Sequence, residues 1–435
     1  MDERIYDGFW WILGEDEQQH GRLDLSTRGE WILETYNPRD MVQAEAKSID
    51  SFVGTIQGFA NAKEITLFKC NRVGRKEILS GSGSHTHIVQ RFRAETVMVG
   101  GHFDSYEEIT LKEVNVRFSD LDKWIGHTIQ ASPPKDKTIR LKLPELELAK
   151  VSLPPHAVSV KLLALEKTFF SSTEIRVGLD PLFKLEFDEK AGYEKIKFLV
   201  CGLQRFLCFA MRTAVVPLKT SAYTENSREV EIYSNYDMPI NKGAYNVHNR
   251  LFLFSEIEDF FQNCMLFWFE KLKNVESTIN LLQLGRFYQS TPFETTFLNL
   301  AQAAETYHRE RGESKGKYQS DNRWKKGIYK TLIDALPEKL LGDSSNELEE
   351  DFRKAIKDSL RYAHSYSLNT RLKDLLHDAG KTVPEGFLKD SEATEKTAND
   401  IKDIRNYYTH YSGNEEKKRK ASDATLVLEL SEARI

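Results

Sequence analysis

Ile401-Lys402-Asp403-Ile404-Arg405-Asn406-Tyr407-Tyr408-Thr409-His410-Tyr411 is the most informative stretch of this 435-residue chain. Ile401, Ile404, Tyr408 and Tyr411 recur at three- and four-residue steps, so the stretch reads as a helix with one apolar stripe. Asn406 and His410 are four apart and share a face. Arg405 lies beside that face, and its long side chain can reach across it. The guanidinium is a planar fork of donors that matches a phosphate. His410 is the one side chain here that gives or takes a proton near neutral pH. Asn406 can orient the imidazole or donate to a substrate. A helix C-terminus favours the imidazolium form, and His410 stands near one. A proton-transferring His beside a phosphate clamp is what metal-free RNA cleavage needs, with the RNA's own 2′-hydroxyl as attacking group. Taken alone, R-x4-H arises readily by chance, and the competing reading is a solvated Arg and a surface His.

Outward from this stretch, residues 251–435 read as helices. The spacing predicts 252–274, a continuation or new helix over 275–288, then 293–310, 321–336, 345–362, 368–379 and 391–411. Thr291-Pro292 opens the third of these in a place proline favours. Gly413-Asn414 stops the last, and a short amphipathic piece at 424–433 follows.

Residues 1 to about 190 have a different period. Runs at 9–13, 29–36, 65–70, 88–94, 109–118 and 158–165 are rich in Val, Ile, Phe, Tyr and Thr, and many alternate apolar with polar. Their regular spacing predicts an antiparallel sandwich or barrel-like domain. Ser80 to Ser84 reads as a loop within it, and Asp180-Pro181 as a turn. Residues 193–212 carry apolar side chains at helical spacing over a wide face, which predicts a buried helix. Residues 229–233 read as another strand. The fold class is therefore α+β: a β-rich, sandwich-like domain over 1–250 with one helix at 193–212, then an all-α bundle over 251–435.

Composition narrows the function. A net charge of −5 and a pI near 6.2 mean that any nucleic-acid surface is local. Four cysteines without a CxxC pair fit a reducing cytoplasm, and Cys201 and Cys208 read as core residues on one helix face. His85-Thr86-His87 places two rings on one side of a strand, too few for a metal site, and His102 reads as structural. No phosphate-binding loop is visible, so neither metal nor cofactor is expected. The N-terminus is acidic, and no apolar run reaches the ~18 residues of a membrane span. The expected location is the cytoplasm.

The order of several motifs gives the chain a family likeness. Arg405-Asn406-x-x-x-His410 sits on the last long helix of an all-helical unit, as in HEPN domains. Phe297-Leu298-Asn299-Leu300-Ala301-Gln302-Ala303-Ala304-Glu305-Thr306-Tyr307-His308-Arg309 resembles the early helix of the ApeA-type HEPN family. Ser367-Leu368-Asn369-Thr370-Arg371-Leu372 resembles a middle helix. Val99-Gly100-Gly101-His102-Phe103, Phe118-Ser119-Asp120-Leu121-Asp122-Lys123-Trp124 and Gly21-Arg22-Leu23, followed by a strand, resemble the ApeA N-terminal domain. The resemblance implies an antiphage, abortive-infection effector. Its HEPN unit would dimerise so that two R-x4-6-H motifs face one groove and cut RNA, tRNA foremost. A phage-derived trigger would act at the N-terminal domain. The short segment 424–435 departs from the final helix of such a bundle.

Further residues are weighed beside this. From His308 to Lys330 there are eight Lys/Arg against three acids. Arg309, Lys315, Lys317, Arg323, Lys325 and Lys326 are candidates for backbone phosphates. Tyr318, Trp324 and Tyr329 are candidates for stacking on unpaired bases. The bland reading is a solvated face with core aromatics. Lys417 to Lys420 is a second basic run beside two glutamates. Glu305, mid-helix among apolar residues, needs a partner if buried, and Arg405 is one candidate. Two other functions compete: a HEPN unit without activity that binds RNA, nucleotide or protein, and a β-rich ligand binder with a helical dimerisation tail.

Overall fold

A computed structural model of the chain describes residues 4–25, 31–38, 53–79, 86–131, 141–224, 228–234, 250–287, 292–311, 317–318, 321–341, 346–381, 391–411, 416, 418, 420 and 421. The loop read at Ser80–Ser84, the stop at Gly413-Asn414 and the piece at 424–433 lie outside these residues, as do His85, Lys315, Lys417 and Arg419. The chain divides into two compact units, Met1–Glu270 and Lys271–Ile435.

The strands of the first unit are β1 (Arg4–Ile12), β2 (Gln19–Leu25), β3 (Trp31–Pro38), β4 (Val53–Ala60), β5 (Lys63–Leu79), β6 (Thr86–Ala94), β7 (Thr96–Val99), β8 (Thr110–Phe118), β9 (Gln130–Ala131), β10 (Leu141–Lys142), β11 (Glu147–Leu153), β12 (Val158–Phe170), β13 (Ile175–Gly192), β14 (Pro217–Tyr223) and β15 (Glu229–Ser234). All but β9 and β10 join one 13-stranded sheet. Where the sequence left sandwich and barrel open, the pairing decides. β5, β4, β1, β2, β3 and β6 each bond to the next, and β6 returns to β5, which closes a 6-strand barrel. Closure removes exposed sheet edges. Alternate residues fill the inside: Tyr6 and Trp10 of β1, Leu23 and Leu25 of β2, Trp31 and Leu33 of β3, Phe92 of β6. Gly58 lies against the Trp10 indole, where a Cβ would come within 2.2 Å of a ring carbon, so only glycine fits this approach.

β5 connects the barrel to the rest of the sheet. Ile65 to Phe68 pair with β7, and Asn71 to Leu79 pair with β6. Between the two pairings Lys69 adopts a φ of 50°. From β7 the sheet continues through β15, β14, β8, β13 and β12 to β11. The sequence places a turn at Asp180-Pro181, and the structure corrects this: both residues lie inside β13, opposite Leu165 and Ala164 of β12. The reason is local to the ladder. The Ala164 N–H donates to the Leu146 carbonyl on the far side of β12. Pro181, opposite it, therefore turns its nitrogen away from β12, and pairing to β8 starts only at Phe183. A proline is tolerated where no N–H is called for.

The helices of this unit are α1 (Leu121–Ile125), α2 (Tyr193–Met211), α3 (Phe254–Ile257) and α4 (Phe261–Lys271). Trp124 of α1 is fully buried. Phe183 of β13, Phe206 of α2, Phe254 of α3 and Phe261 of α4 surround it with ring centroids at 5.8–6.5 Å. The Trp268 indole N–H donates to the Gly202 carbonyl at 3.0 Å. The unit boundary thus falls after Glu270, while the change of period reads at 250. The first apolar residues of the helical half close the core of the β-rich unit. Cys208 is buried, and burial pushes its thiol up to about 12, which fits a packing role. The His102 ring bonds the Gly58 carbonyl at 2.9 Å, as its structural reading expects.

The second unit contains α5 (Glu276–Phe287), α6 (Phe293–Glu310), α7 (Asp321–Arg323), α8 (Tyr329–Asp334), α9 (Asn346–Arg361), α10 (Leu368–Gly380) and α11 (Ser391–His410). A π-helical turn, Trp324–Ile328, joins α7 to α8. α6 packs on α5, α10 and α11, and α10 packs on α11. Among the described residues no helix is long and apolar enough to cross a membrane.

Candidate active site

α11 is anchored by its apolar stripe. Ile404 and Tyr408 are buried with Ala421 against Phe293, Phe297 and Leu298 of α6. The Tyr408 ring meets Phe293 and Phe297 at 6.1 and 5.9 Å, both edge-on. Its hydroxyl donates to the Ala421 carbonyl at 3.2 Å, so the polar tip of a buried Tyr is satisfied. Lys420 reaches Asp400 at 2.9 Å and Asp403 at 3.4 Å. Asn369 of α10 donates to Asn399 at 3.0 Å. The helix is thereby fixed on two sides, by its apolar stripe and by the stripe of Asn399 and Asp403, which continues toward Asn406 and His410.

Arg405 is half-buried, and its Nη1 donates to Asn406 Oδ1 at 3.2 Å. The structure therefore brings these two residues together. His410 is the last residue of α11 and is exposed. Thr409 Oγ1 donates to the Arg405 carbonyl at 2.8 Å. Tyr411 follows with a φ of 47°, and its N–H donates to the Tyr407 carbonyl at 2.6 Å. The pattern read at 401–411 is thus a solvent-facing helix end that offers a guanidinium, an amide and an imidazole.

Glu305 is placed elsewhere. Phe293 and Phe297 open α6 and meet Tyr408 near the end of α11, so the two helices run antiparallel. Glu305 lies eight residues beyond Phe297, about 12 Å along the helix. It is ion-paired with Arg309, and the structure does not bring it to Arg405. The basic run is also resolved. Lys325 and Lys326 are exposed on the π-helical turn. Lys317 forms a bridge with Ser365. Arg323 is exposed next to Trp324. Trp324 is 7% exposed, stacks on His364 and donates to the Arg361 carbonyl, so it belongs to the core. Tyr318 is 61% exposed and packs edge-on against Tyr366 at 4.7 Å, which leaves much of its ring open to solvent. No group of three or more metal-binding side chains gathers among the described residues.

A second polar cluster escaped the sequence reading. His308 is fully buried. Arg371 donates to its Nδ1 at 3.3 Å, and its Nε2 meets Asp374 at 3.1 Å. Arg371 also donates to the Tyr366 carbonyl at 3.1 Å. Because the guanidinium donates to Nδ1, the proton of the neutral ring sits on Nε2 and points at the carboxylate. Burial lowers the pKa of His308, and the Arg311 and Arg371 charges lower it further. The Asp374 hydrogen bond opposes them. Burial likewise lowers that of Arg371, with Arg309 adding and Glu305 opposing. His308 lies near the end of the early-helix segment that carries the family likeness, and Arg371 lies in the middle-helix segment. Local spacing holds no sign that they meet.

This cluster makes stability depend on pH. The folded state resists protonating His308, so between its lowered pKa and the ordinary value near 6.5 the unfolded chain binds more protons. Stability is full above that window and falls as pH drops through it, by at most about 1.4 kcal/mol per pH unit. His308→Gln supplies an oxygen for Arg371 and an N–H for Asp374 without titrating. Melting curves of both proteins between pH 7.5 and 5, values of about that range, should diverge on the acid side, with the variant flatter. Parallel curves would remove the role given to His308.

The comparisons with known proteins follow the same division. The family described as ApeA N-terminal domain 1 matches residues 5–268, more than half of the chain. The chain belongs to the ApeA family. The family described as Apea-like HEPN matches residues 298–432, which takes in α6, α10 and α11. No curated protein and no solved structure matches the chain. An ApeA N-terminal domain followed by an Apea-like HEPN domain is the make-up of an antiphage-defence effector of HEPN type. HEPN domains are generally ribonucleases that bind RNA and dimerise. In this ApeA protein the R-x4-H helix and the His308–Arg371 cluster both fall within the HEPN match.

Proposed function

We propose that this ApeA protein is an abortive-infection effector whose HEPN unit cuts RNA, tRNA foremost, at a site completed by a second copy. The observation that carries the reading is the end of α11, where Asn406 holds the half-buried Arg405 and His410 is the exposed last residue. Arg405 binds the non-bridging oxygens of the scissile phosphate. His410 takes the 2′-hydroxyl proton, and a His410 in the other protonation state returns one to the leaving 5′-oxygen. The products are a 2′,3′-cyclic phosphate and a 5′-hydroxyl. Five positions are about 140° apart around a helix, so one copy presents Arg405 and His410 to different directions. Two copies facing one groove present both to one phosphate. Arg309, Lys317, Arg323, Lys325 and Lys326 hold flanking phosphates. Glu305 supports the site from a distance, by steadying Arg309 and the charge around Arg371. The β-rich unit receives a phage-derived trigger, and the protein acts in the cytoplasm.

The reaction as written needs no metal. Purified full-length chain with total tRNA should cut in EDTA and leave cyclic phosphate ends, read by end-specific ligation. Strict dependence on magnesium, or 5′-phosphate products, would sink the mechanism. A monomer by light scattering that retains full activity would remove the shared site.

A further inference from the structure

Tyr411 occupies a place that helix ends usually give to glycine. It follows the last helical residue, lies in the left-handed region at a φ of 47°, and closes the final turn through its N–H to the Tyr407 carbonyl. Side chains are disfavoured there, and Gly or Asn is the common solution. A bulky residue held in that region is an outlier that points to function when packing does not explain it. Packing does not explain Tyr411. Its side chain is 70% exposed. Its ring contact among the described residues is edge-on to Tyr407, at 6.0 Å. The chain thus keeps an unfavourable backbone conformation and leaves the ring in water.

The position of that ring gives it a use. It is covalently next to His410 and lies on the same helix end as Arg405 and Asn406. A nucleotide whose phosphate meets Arg405 and whose sugar meets His410 has its base within reach of an adjacent aromatic face. An unpaired base offers a free π surface to such a face. A base inside an A-form duplex is already stacked on both sides and offers none. We infer that Tyr411 is the base-stacking platform of the site. The inference rests on the ribonuclease reading above and adds a positioning residue to it. Tyr411 is a positioning residue: it holds the nucleotide, and the proton moves at His410.

The test uses the full-length chain, a short single-stranded RNA, and the same strand annealed to its complement. Wild type should cut the single strand and spare the duplex. Tyr411→Phe keeps the ring and should behave as wild type. Tyr411→Ala should raise KM about tenfold, the scale of one lost stacking contact, with single-turnover cleavage at saturating RNA little changed. Tyr411→Gly should show the same loss in KM, yet melt higher than wild type, because glycine relieves the backbone conformation. The opposite signs separate a binding role from a structural one. Binding of the single strand to His410→Ala, with and without Tyr411→Ala, gives the same comparison without turnover. A wild type that cuts single strands while Tyr411→Ala keeps its KM overturns the stacking alone. A Tyr411→Gly that melts lower assigns the ring to packing and also overturns it. A wild type that neither binds nor cuts RNA overturns the ribonuclease reading, and the stacking with it.

Discussion

His410→Ala should yield a folded chain that no longer cuts RNA. The imidazole is exposed and no described residue hydrogen-bonds it, so its removal leaves the packing of α11 on α6 intact. What disappears is proton transfer, which contributes typically ~10²–10⁴-fold. RNA affinity should stay close to wild type. Arg405→Ala should also stop turnover but weaken binding, because it deletes a phosphate clamp and leaves Asn406 without its donor. Lys325→Ala with Lys326→Ala should lower affinity and its salt dependence, each lost phosphate contact reducing the log–log slope by about one. Their cleavage recovers at high RNA concentration, and that of His410→Ala does not. Single-turnover cleavage at saturating RNA, with a melting curve for each variant, distinguishes the three. Wild-type cleavage by folded His410→Ala would remove the catalytic assignment.

Trp124→Ala should be the most damaging single change to the β-rich unit. The indole is fully buried between the sheet and three helices, with aromatic neighbours from β13, α2, α3 and α4. Removing so large a buried side chain costs about 3–5 kcal/mol, through lost transfer energy and the cavity left behind. Its Nε1 has no hydrogen-bond partner among the described residues. Trp124→Phe therefore loses volume but no hydrogen bond, and should cost clearly less. Denaturant titrations followed by far-UV circular dichroism read both. A Trp124→Ala midpoint equal to wild type would show that this cluster does not hold the unit together.

Much of the helical half is legible because its signals are local. The spacing at 293–310 and 368–379 returns as α6 and α10 within one residue. Ser367 caps α10 through its side chain, which accepts the Thr370 N–H, and such a cap needs only neighbours in sequence. The strands are less legible. β2 begins Gln19-His20-Gly21-Arg22, a polar start that hides its inward Leu23 and Leu25. β13 contains Asp180-Pro181, a local turn signal that the ladder overrides because β8 has not yet begun to pair there.

The sequence by itself determined where the chain changes period, the helices at 193–212, 293–310, 345–362, 368–379 and 391–411 to within a residue or two, and that Arg405, Asn406 and His410 share one helix end. All of these follow from the 3.6- and 2-residue repeats and from the chemistry of single side chains. Only the tertiary structure decided that β6 returns to β5 and closes a barrel, and that the apolar residues after 250 complete the β-rich core. It alone decided that Trp324 is buried while Tyr318 is exposed, that Glu305 does not reach Arg405, and that His308 meets Arg371 across a separation of 63 residues. The reason is common to these cases. Burial and hydrogen-bond partners are set by which distant segments pack together, and a residue's own sequence neighbourhood carries no record of what will face it.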